Sequence, residues 1–365
     1  MANWTPNNSE AINSASLDVW LDASNTNGYV TDGSTTEDDD YGIASNITTI
    51  NNLGTTGYTL TPITANYPTL RTGSLPGHNG FKFGNLDFSW TNTAMQSTNA
   101  GITSIRNNED RMVFSVVSNV SVNGVRGNTF KGMWGWGDFG LRQGFSVFAD
   151  TNSNRDSPVL SFTFSDHAST TANLFSDPPN KAIITAQNSS SVSNTQNLFF
   201  NTIQEVAATE TLATTVSSAG AGLRVGSSNY SADTSDYVLH ELLIYSVADS
   251  GADADNFRNI VEGYLAHKWE ITDLLPADHP YKSAAPQIGG GGGVPVFGND
   301  RGFKFNVNPE GASDGPLINR FEAINSNYGK SGNIEQIPFT LQQPGVFSIK
   351  RRSIAYKATR GDSNE

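Results

Sequence analysis

Three groups of residues in this chain have types and spacing that could support chemistry: a run of carboxylates, a pair of indoles and a basic cluster. The string EDDDYG places Glu37, Asp38, Asp39 and Asp40 side by side. Two carboxylates on one face of a strand can divide the acid and nucleophile roles at a glycosidic bond. Here the surroundings are polar and turn-like, so the plainer reading is a solvated acidic loop. Asp38, Asp39 and Asp40 are also the candidate calcium ligands. Calcium takes about six to eight oxygens from several segments, and a run of three Asp supplies roughly two of them.

Trp134 and Trp136 alternate with glycine in FKGMWGWGDFG and stand next to Asp138. Side chains two apart on a strand point the same way. The two indoles with Asp138 are therefore either a stacking platform for a sugar ring or core side chains for which the glycines leave room. In the last third of the chain, IPFTLQQPGVFSI carries Phe339 and Phe347 and is followed by Lys350, Arg351 and Arg352. An alternating segment flanked by positive charge can add a strand to a neighbour or lie on an acidic surface; otherwise it is a solvated end. The five His do not cluster, and without Cys no zinc set can be completed. His240 shares its strand face with Val238, Leu242 and Ile244 on strict alternation, which makes it a core histidine. Glu241, inside the same apolar strand, needs a partner if buried. Nucleophile elbows and phosphate loops are missing from the sequence.

The elements that must position these residues are mostly short strands. LDVWLDAS, a strand around Phe81 and Phe83, RMVFSVVSNVSV, the WGW segment, GFSVFAD, PVLSFTFSD, NKAIITAQ, NLFFN, GLRVGSS and DYVLHELLIYS follow one another with turn-rich spacers. The unit from Tyr67 to Phe88 reads as a Pro- and Gly-punctuated loop that leads into the strand around Phe81 and Phe83. One helix closes the set. Phe257, Ile260, Val261, Tyr264, Leu265 and Trp269 form an apolar stripe at helical spacing, with Asp253 as the expected cap and His267 and Lys268 at the end that favours cations. Pro276 and Pro280 end it.

Composition agrees with that outline. Hydrophobic residues make up 36% and charged residues 16% of 365, so much of the polarity comes from Asn, Ser, Thr and Gly, which suits strands and turns. With no Cys, stability rests on burial and not on a disulfide framework. The net charge of −13 argues against nucleic acid as the main partner. No apolar run approaches the roughly 20 residues that span a bilayer, so no membrane insertion is expected. MANWTPNNSEAINS has neither a basic nor an apolar signal region, so no ordinary secretion signal is expected there. From Gln287 onward the chain holds nine Lys/Arg and seven Asp/Glu, which leaves −15 on the preceding body. The run Gly289 to Gly293 reads as a flexible linker. The expected division is a sandwich over residues 1–285, a Gly-rich linker over 286–297 and an attachment segment over 298–365, too small to build a sufficient core alone.

LDVWLDAS, NGFKFGN, GLRVGSS and HELLIYS followed by VEGYLAHKWEITDLLPADHPYKS occur in the order of known landmarks. Over about residues 16–285 the chain resembles a laminin-G-like domain of the concanavalin A-like lectin and glucanase superfamily. The last piece is the most specific. The resemblance implies an all-β, two-sheet antiparallel jelly-roll sandwich with one C-terminal helix. Glycanases of that superfamily use a Glu-x-Asp-x-x-Glu strand. Glu37 and Asp39 match it, but Tyr41 and Gly42 bring no third carboxylate, so an enzyme is not expected. Many laminin-G-like domains bind calcium on the sandwich rim, which is the role open to Asp38, Asp39 and Asp40. Versions with this closing helix are common in structural proteins of marine bacterial viruses and in bacterial surface proteins. The expectation is therefore a non-enzymatic virion surface protein, a capsid decoration or fibre component, displaying a lectin-like domain toward glycans or a host surface. Its C-terminal segment would bind other virion proteins or a second copy of the chain. The alternative is a carbohydrate-binding module of a bacterial surface or exported protein.

Overall fold

A computed structural model describes residues 4–7, 15–34, 36–38, 42–75, 77–84, 93–97, 110–121, 131–138, 143–150, 157–161, 166–168, 181–189, 195–209, 221–227, 236–247, 252–287, 301–307 and 318–325. The chain falls into two compact units, Asn3–Pro286 and Met1–Ala2 with Gln287–Glu365. In order, the strands of the first unit are β1 (Ser16–Asp22), β2 (Tyr29–Thr31), β3 (Thr36–Asp38), β4 (Gly42–Asn51), β5 (Thr59–Pro62), β6 (Thr69–Leu75), β7 (His78–Phe83), β8 (Met95–Ser97) and β9 (Asp110–Ser121). They continue with β10 (Lys131–Asp138), β11 (Gln143–Asp150), β12 (Ser157–Ser161), β13 (Asp166–Ala168), β14 (Lys181–Ser189), β15 (Thr195–Phe200), β16 (Ile203–Thr209), β17 (Ala221–Val225) and β18 (Asp236–Val247), before the helix α1 (Ala252–Lys268). The second unit contains β19 (Arg301–Val307) and β20 (Ile318–Asn325), paired antiparallel with Phe305 opposite Phe321.

All the ladders are antiparallel among the described residues, and those of the first unit form two layers. The front sheet runs β16–β15–β14–β9–β18. Beyond β18 the edge is shared by β1, along Asp22 to Ser16, and β7, which continues through β6 to β4. The back sheet runs β2–β4–β5–β8–β17–β10–β11–β12–β13. β4 takes part in both layers and turns the corner between them. The fold is an antiparallel β-sandwich with one C-terminal helix, the class expected from the sequence.

The sandwich core lies between the sheets, with Val19, Leu21, Phe81, Phe83, Val113, Leu242 and Ile244 on one side and Leu60, Met95, Trp134, Trp136, Leu223 and Val225 on the other. A second apolar layer lies between the front sheet and α1. Phe257 meets Tyr245 and Phe114 edge-on, with ring centroids 4.9 and 6.4 Å apart. Two buried faces explain why RMVFSVVSNV and YVLHELLIY read as nearly continuous apolar runs: Met112, Val113 and Phe114 are all fully buried, as are Leu242, Leu243 and Ile244.

Several local expectations change. Strict alternation places His240 with Leu242 and Ile244, but a bulge between Leu239 and Glu241 inserts one extra residue into β18. Tyr237 and Leu239 face the sandwich core before the bulge, and Leu242 and Ile244 face it afterwards. His240 and Glu241 consequently stand together on the helix side. His240 is a core histidine nonetheless. Its Nδ1 donates to Asn79 O at 2.9 Å, which leaves Nε2 to accept from Ser118 Oγ at 2.8 Å. Burial lowers its pKa to about 4. The segment EDDDYG is not simply a loop, because Glu37 and Asp38 end β3, opposite Ile43 and Gly42. TLRTGSL, within the Pro- and Gly-rich stretch, is strand β6, and GIASNITTIN is a ten-residue strand that its scattered polar residues concealed. Asp253 lies inside the first turn of α1, which already begins at Ala252, and so is not its cap.

The closing motif EGYLAHKW with HPY is explained by contacts on both sides of α1. A Cβ on Gly263 would sit 2.5 Å from Tyr281 Cβ, so glycine is what allows the exit segment to cross the helix. His267 Nε2 donates to Tyr281 O at 2.8 Å. On the sheet side Glu262 is fully buried and accepts from Thr185 Oγ1 at 2.7 Å. Burial pushes its carboxyl up from 4.5 to about 7, against the opposing pull of Arg258 and the Thr185 hydrogen bond. An acid that holds its proton more tightly when folded favours folding at low pH and loses that advantage as pH rises to the folded value. Glu262 should therefore withdraw on the order of 2–3 kcal/mol of stability as pH rises from about 4.5 to about 7. Glu262→Gln should gain on the wild type by that amount between about pH 5 and pH 8 in urea unfolding. A constant difference between the two proteins across that range would refute the assignment.

Candidate functional site

The outer side of the back sheet carries an in-register band of polar residues. Thr61 of β5 pairs with Gln96 of β8, Gln96 with Arg224 of β17, and Arg224 with Gly135 of β10. The same row continues through Ser146 of β11 and Ser161 of β12 to Asp166 of β13. The neighbours of these residues along their strands, Leu60, Met95, Leu223, Val225, Trp134 and Trp136, all enter the core. Period-two alternation therefore puts Thr61, Gln96, Arg224 and Gly135 on the opposite face. Thr61 is exposed, Gln96 and Arg224 are half-buried, and Arg224 Nε donates to Gln96 Oε1 at 2.8 Å. Burial pulls the guanidinium pKa down, yet the group remains a cation with a fixed fork of donors. Adjacent strands are about 4.8 Å apart, so the band offers hydrogen-bonding groups at regular steps across the sheet. Gly135, the next residue of the row beside Arg224, is itself buried. The close approach of β17 to β8 itself requires glycine, since a Cβ on Gly222 would meet Ser97 Oγ at 2.4 Å and Ser97 O at 2.6 Å.

The proposed stacking platform is corrected. Trp134 and Trp136 do point the same way, with ring centroids 6.0 Å apart and planes 19° apart, but they point inward and are 0% and 1% exposed. A bulge between Gly132 and Trp134 turns this part of β10 into the core, and Met133 O accepts from Gly226 N at 2.8 Å. Neither indole offers a face to a ligand. Asp138 ends β10 opposite Gln143, and its side chain lies outside the described residues. Asp38 ends β3, while Asp39 and Asp40 lie outside the described residues. Among the described residues no three His, Asp or Glu side chains gather as a metal ion would need. Phe339, Phe347, Lys350, Arg351 and Arg352 also lie outside them. Sequence reading passed over Arg224, although a cation between Leu223 and Val225 in GLRVGSS was a visible sign of an outward position.

The densest polar cluster lies under α1. Glu241 is fully buried and accepts from Trp20 Nε1 at 2.8 Å, Trp269 Nε1 at 2.7 Å, Tyr264 Oη at 3.3 Å and Lys268 Nζ at 2.8 Å. Lys268 Nζ also reaches Asp22 Oδ2 at 2.7 Å. The burial cost of the carboxylate is thus met by donors from β1, from α1 and from Trp269 just after it. Asp18, likewise buried, accepts from Ser246 Oγ at 2.5 Å. These carboxylates face inward and tie elements together.

No known protein family profile matches the chain, and no curated protein does either. Solved structures do. The binding domain of botulinum neurotoxin serotype D is 10% identical, with 68% of this chain and 51% of that chain covered and a TM-score of 0.42. An arabinofuranosidase complexed with arabinofuranosyl-α-1,2-xylobiose is 11% identical, with 70% and 64% covered and a TM-score of 0.45. Domain 4 of an extracellular arabinanase from Geobacillus stearothermophilus, in complex with arabinotriose, is 11% identical, with 67% and 98% covered and a TM-score of 0.34. The chain spans about half the length of the neurotoxin domains it matches. At this identity and TM-score each is a distant likeness.

Proposed function

We propose that this chain is a non-enzymatic glycan-binding display protein, with the outer face of the back sheet as its contact surface. In this reading it is a surface component of a bacterial virus particle, a capsid decoration or fibre, held by its C-terminal segment. The observation that carries the binding role is the in-register band Thr61–Gln96–Arg224–Gly135. Sugars are recognised by planar and forked hydrogen-bonding groups on a surface they can approach closely. The band offers the hydroxyl of Thr61, the amide of Gln96 and the guanidinium of Arg224 side by side on one face. The non-enzymatic reading is supported by the buried carboxylates Asp22 and Glu241, which are engaged with internal donors. The display reading is supported by the closing-helix motif and by the change of composition and charge after Pro286.

A glycan screen of the full chain should give saturable binding. Arg224→Ala should weaken it by about 10-fold or more, because a hydrogen bond to a charged group contributes about 1.5–3 kcal/mol. Its unfolding midpoint should stay close to that of the wild type. A screen without hits, or equal binding by the Arg224 variant, would sink the contact face. Truncation after Pro286 should abolish association with the particle, and unchanged association would remove the attachment role of the tail.

A further inference from the structure

We propose that Lys268 and Asp22 condense into an intramolecular amide, with Glu241 carrying the protons, so that the opening strand and the closing helix become covalently joined. The three groups come from β1, β18 and α1. Lys268 Nζ lies 2.7 Å from Asp22 Oδ2 and 2.8 Å from Glu241 Oε2. The side chain of Glu241 is 0% exposed, that of Asp22 5% and that of Lys268 19%. An ion pair needs nothing more than these contacts, but the site has more.

Asp22 Oδ1 accepts from both Ser24 N at 2.9 Å and Ser24 Oγ at 2.6 Å. Two fixed donors on the oxygen that gains charge when the carboxyl carbon becomes tetrahedral are what acyl transfer requires. Burial pushes the Glu241 carboxyl up, against the opposing pull of Lys268, which suits a group that must take and return a proton. Aromatic rings wall the amine: Trp269, Tyr264 and Trp20 have centroids 5.0, 5.6 and 5.8 Å from Nζ. They restrict the water that would hydrolyse the product.

The steps balance without a further reagent. Glu241 takes one proton from the ammonium, and the neutral amine attacks Asp22 Cγ to form the C–N bond. Glu241 delivers that proton to Oδ2 and relays a second from nitrogen to the same oxygen. The C–Oδ2 bond then breaks and one water leaves. Joining a free amine to a free acid is unfavourable in bulk water. Groups held in contact react at effective concentrations on the order of 10⁵–10⁸ M, which favours the amide.

Intact-mass measurement of the purified full chain should give the sequence mass less one water. A digest should contain the peptide of Asp22 joined to that of Lys268. Lys268→Arg, which keeps the positive charge, and Glu241→Gln should each restore the full sequence mass, with circular dichroism confirming that the variants are folded. Folded wild-type protein at full mass would overturn the proposal, as would a lost water mapped to other residues or one retained in the Lys268 variant. A Glu241→Gln protein that still loses the water would remove Glu241 as proton carrier. Because Lys268→Arg leaves Glu241 in place, the test of the bond does not depend on the Glu241 variant folding.

Discussion

Replacing Glu241 with Leu should lower the unfolding free energy by about 3–5 kcal/mol, the range for removing one member of a buried charged cluster. The carboxylate accepts from Trp20, Tyr264, Lys268 and Trp269, so its loss strands two indole N–H groups and leaves the Lys268 amine with Asp22 alone. The larger side of that range follows from the number of donors left without acceptors. Combining Glu241→Leu with Lys268→Met should cost less than the sum of the two single changes, because the two side chains are direct partners and the second change removes a group that the first had deprived of one of its two carboxylates. Urea unfolding of the wild type and the three variants gives the cycle. A loss below about 1 kcal/mol for Glu241→Leu would mean that water replaces the carboxylate and that the cluster is not a fastening.

Trp134→Ala should cost about 3–5 kcal/mol, as deletion of a large buried ring leaves a cavity that the surrounding sheet fills only partly. Trp134 is 0% exposed and stacks on Trp136 against core residues from both sheets. The expected readout is a large fall in the denaturation midpoint. A variant of wild-type stability that had lost glycan binding would instead restore the indole platform. Together with Arg224→Ala, this pair separates a side chain that holds the fold from one that meets a ligand.

The specific closing motif was legible because each of its residues has a local reason to be there. The stripe Phe257, Ile260, Val261, Tyr264, Leu265 and Trp269 is helical by spacing, and all of it is buried except Tyr264, which is half-buried. Glu241 stood out because a carboxylate in an apolar strand must find donors, and it found them. Other features were hidden because they depend on irregularities that alternation does not encode. A single inserted residue at the β18 bulge moved His240 to the helix side, beside Glu241 and away from Leu242 and Ile244. Another at Gly132/Trp134 helped direct the WGW segment inward. GIASNITTIN was missed because β4 divides its pairing between two sheets, so no single face shows a clean apolar pattern.

By itself, the sequence determined the all-β class, the closing helix, the change of character after Pro286 and the need to compensate a buried Glu241. Local periodicity and composition suffice for these, because they depend on neighbours along the chain. Only the tertiary structure decided that Trp134 and Trp136 are core and that Thr61, Gln96, Arg224 and Gly135 line up across four strands. It alone brought Lys268 onto Asp22, 246 residues away, beside Glu241. Which side of a sheet a residue faces, and which distant strand lies beside it, are set by register, and one bulge is enough to reverse the answer.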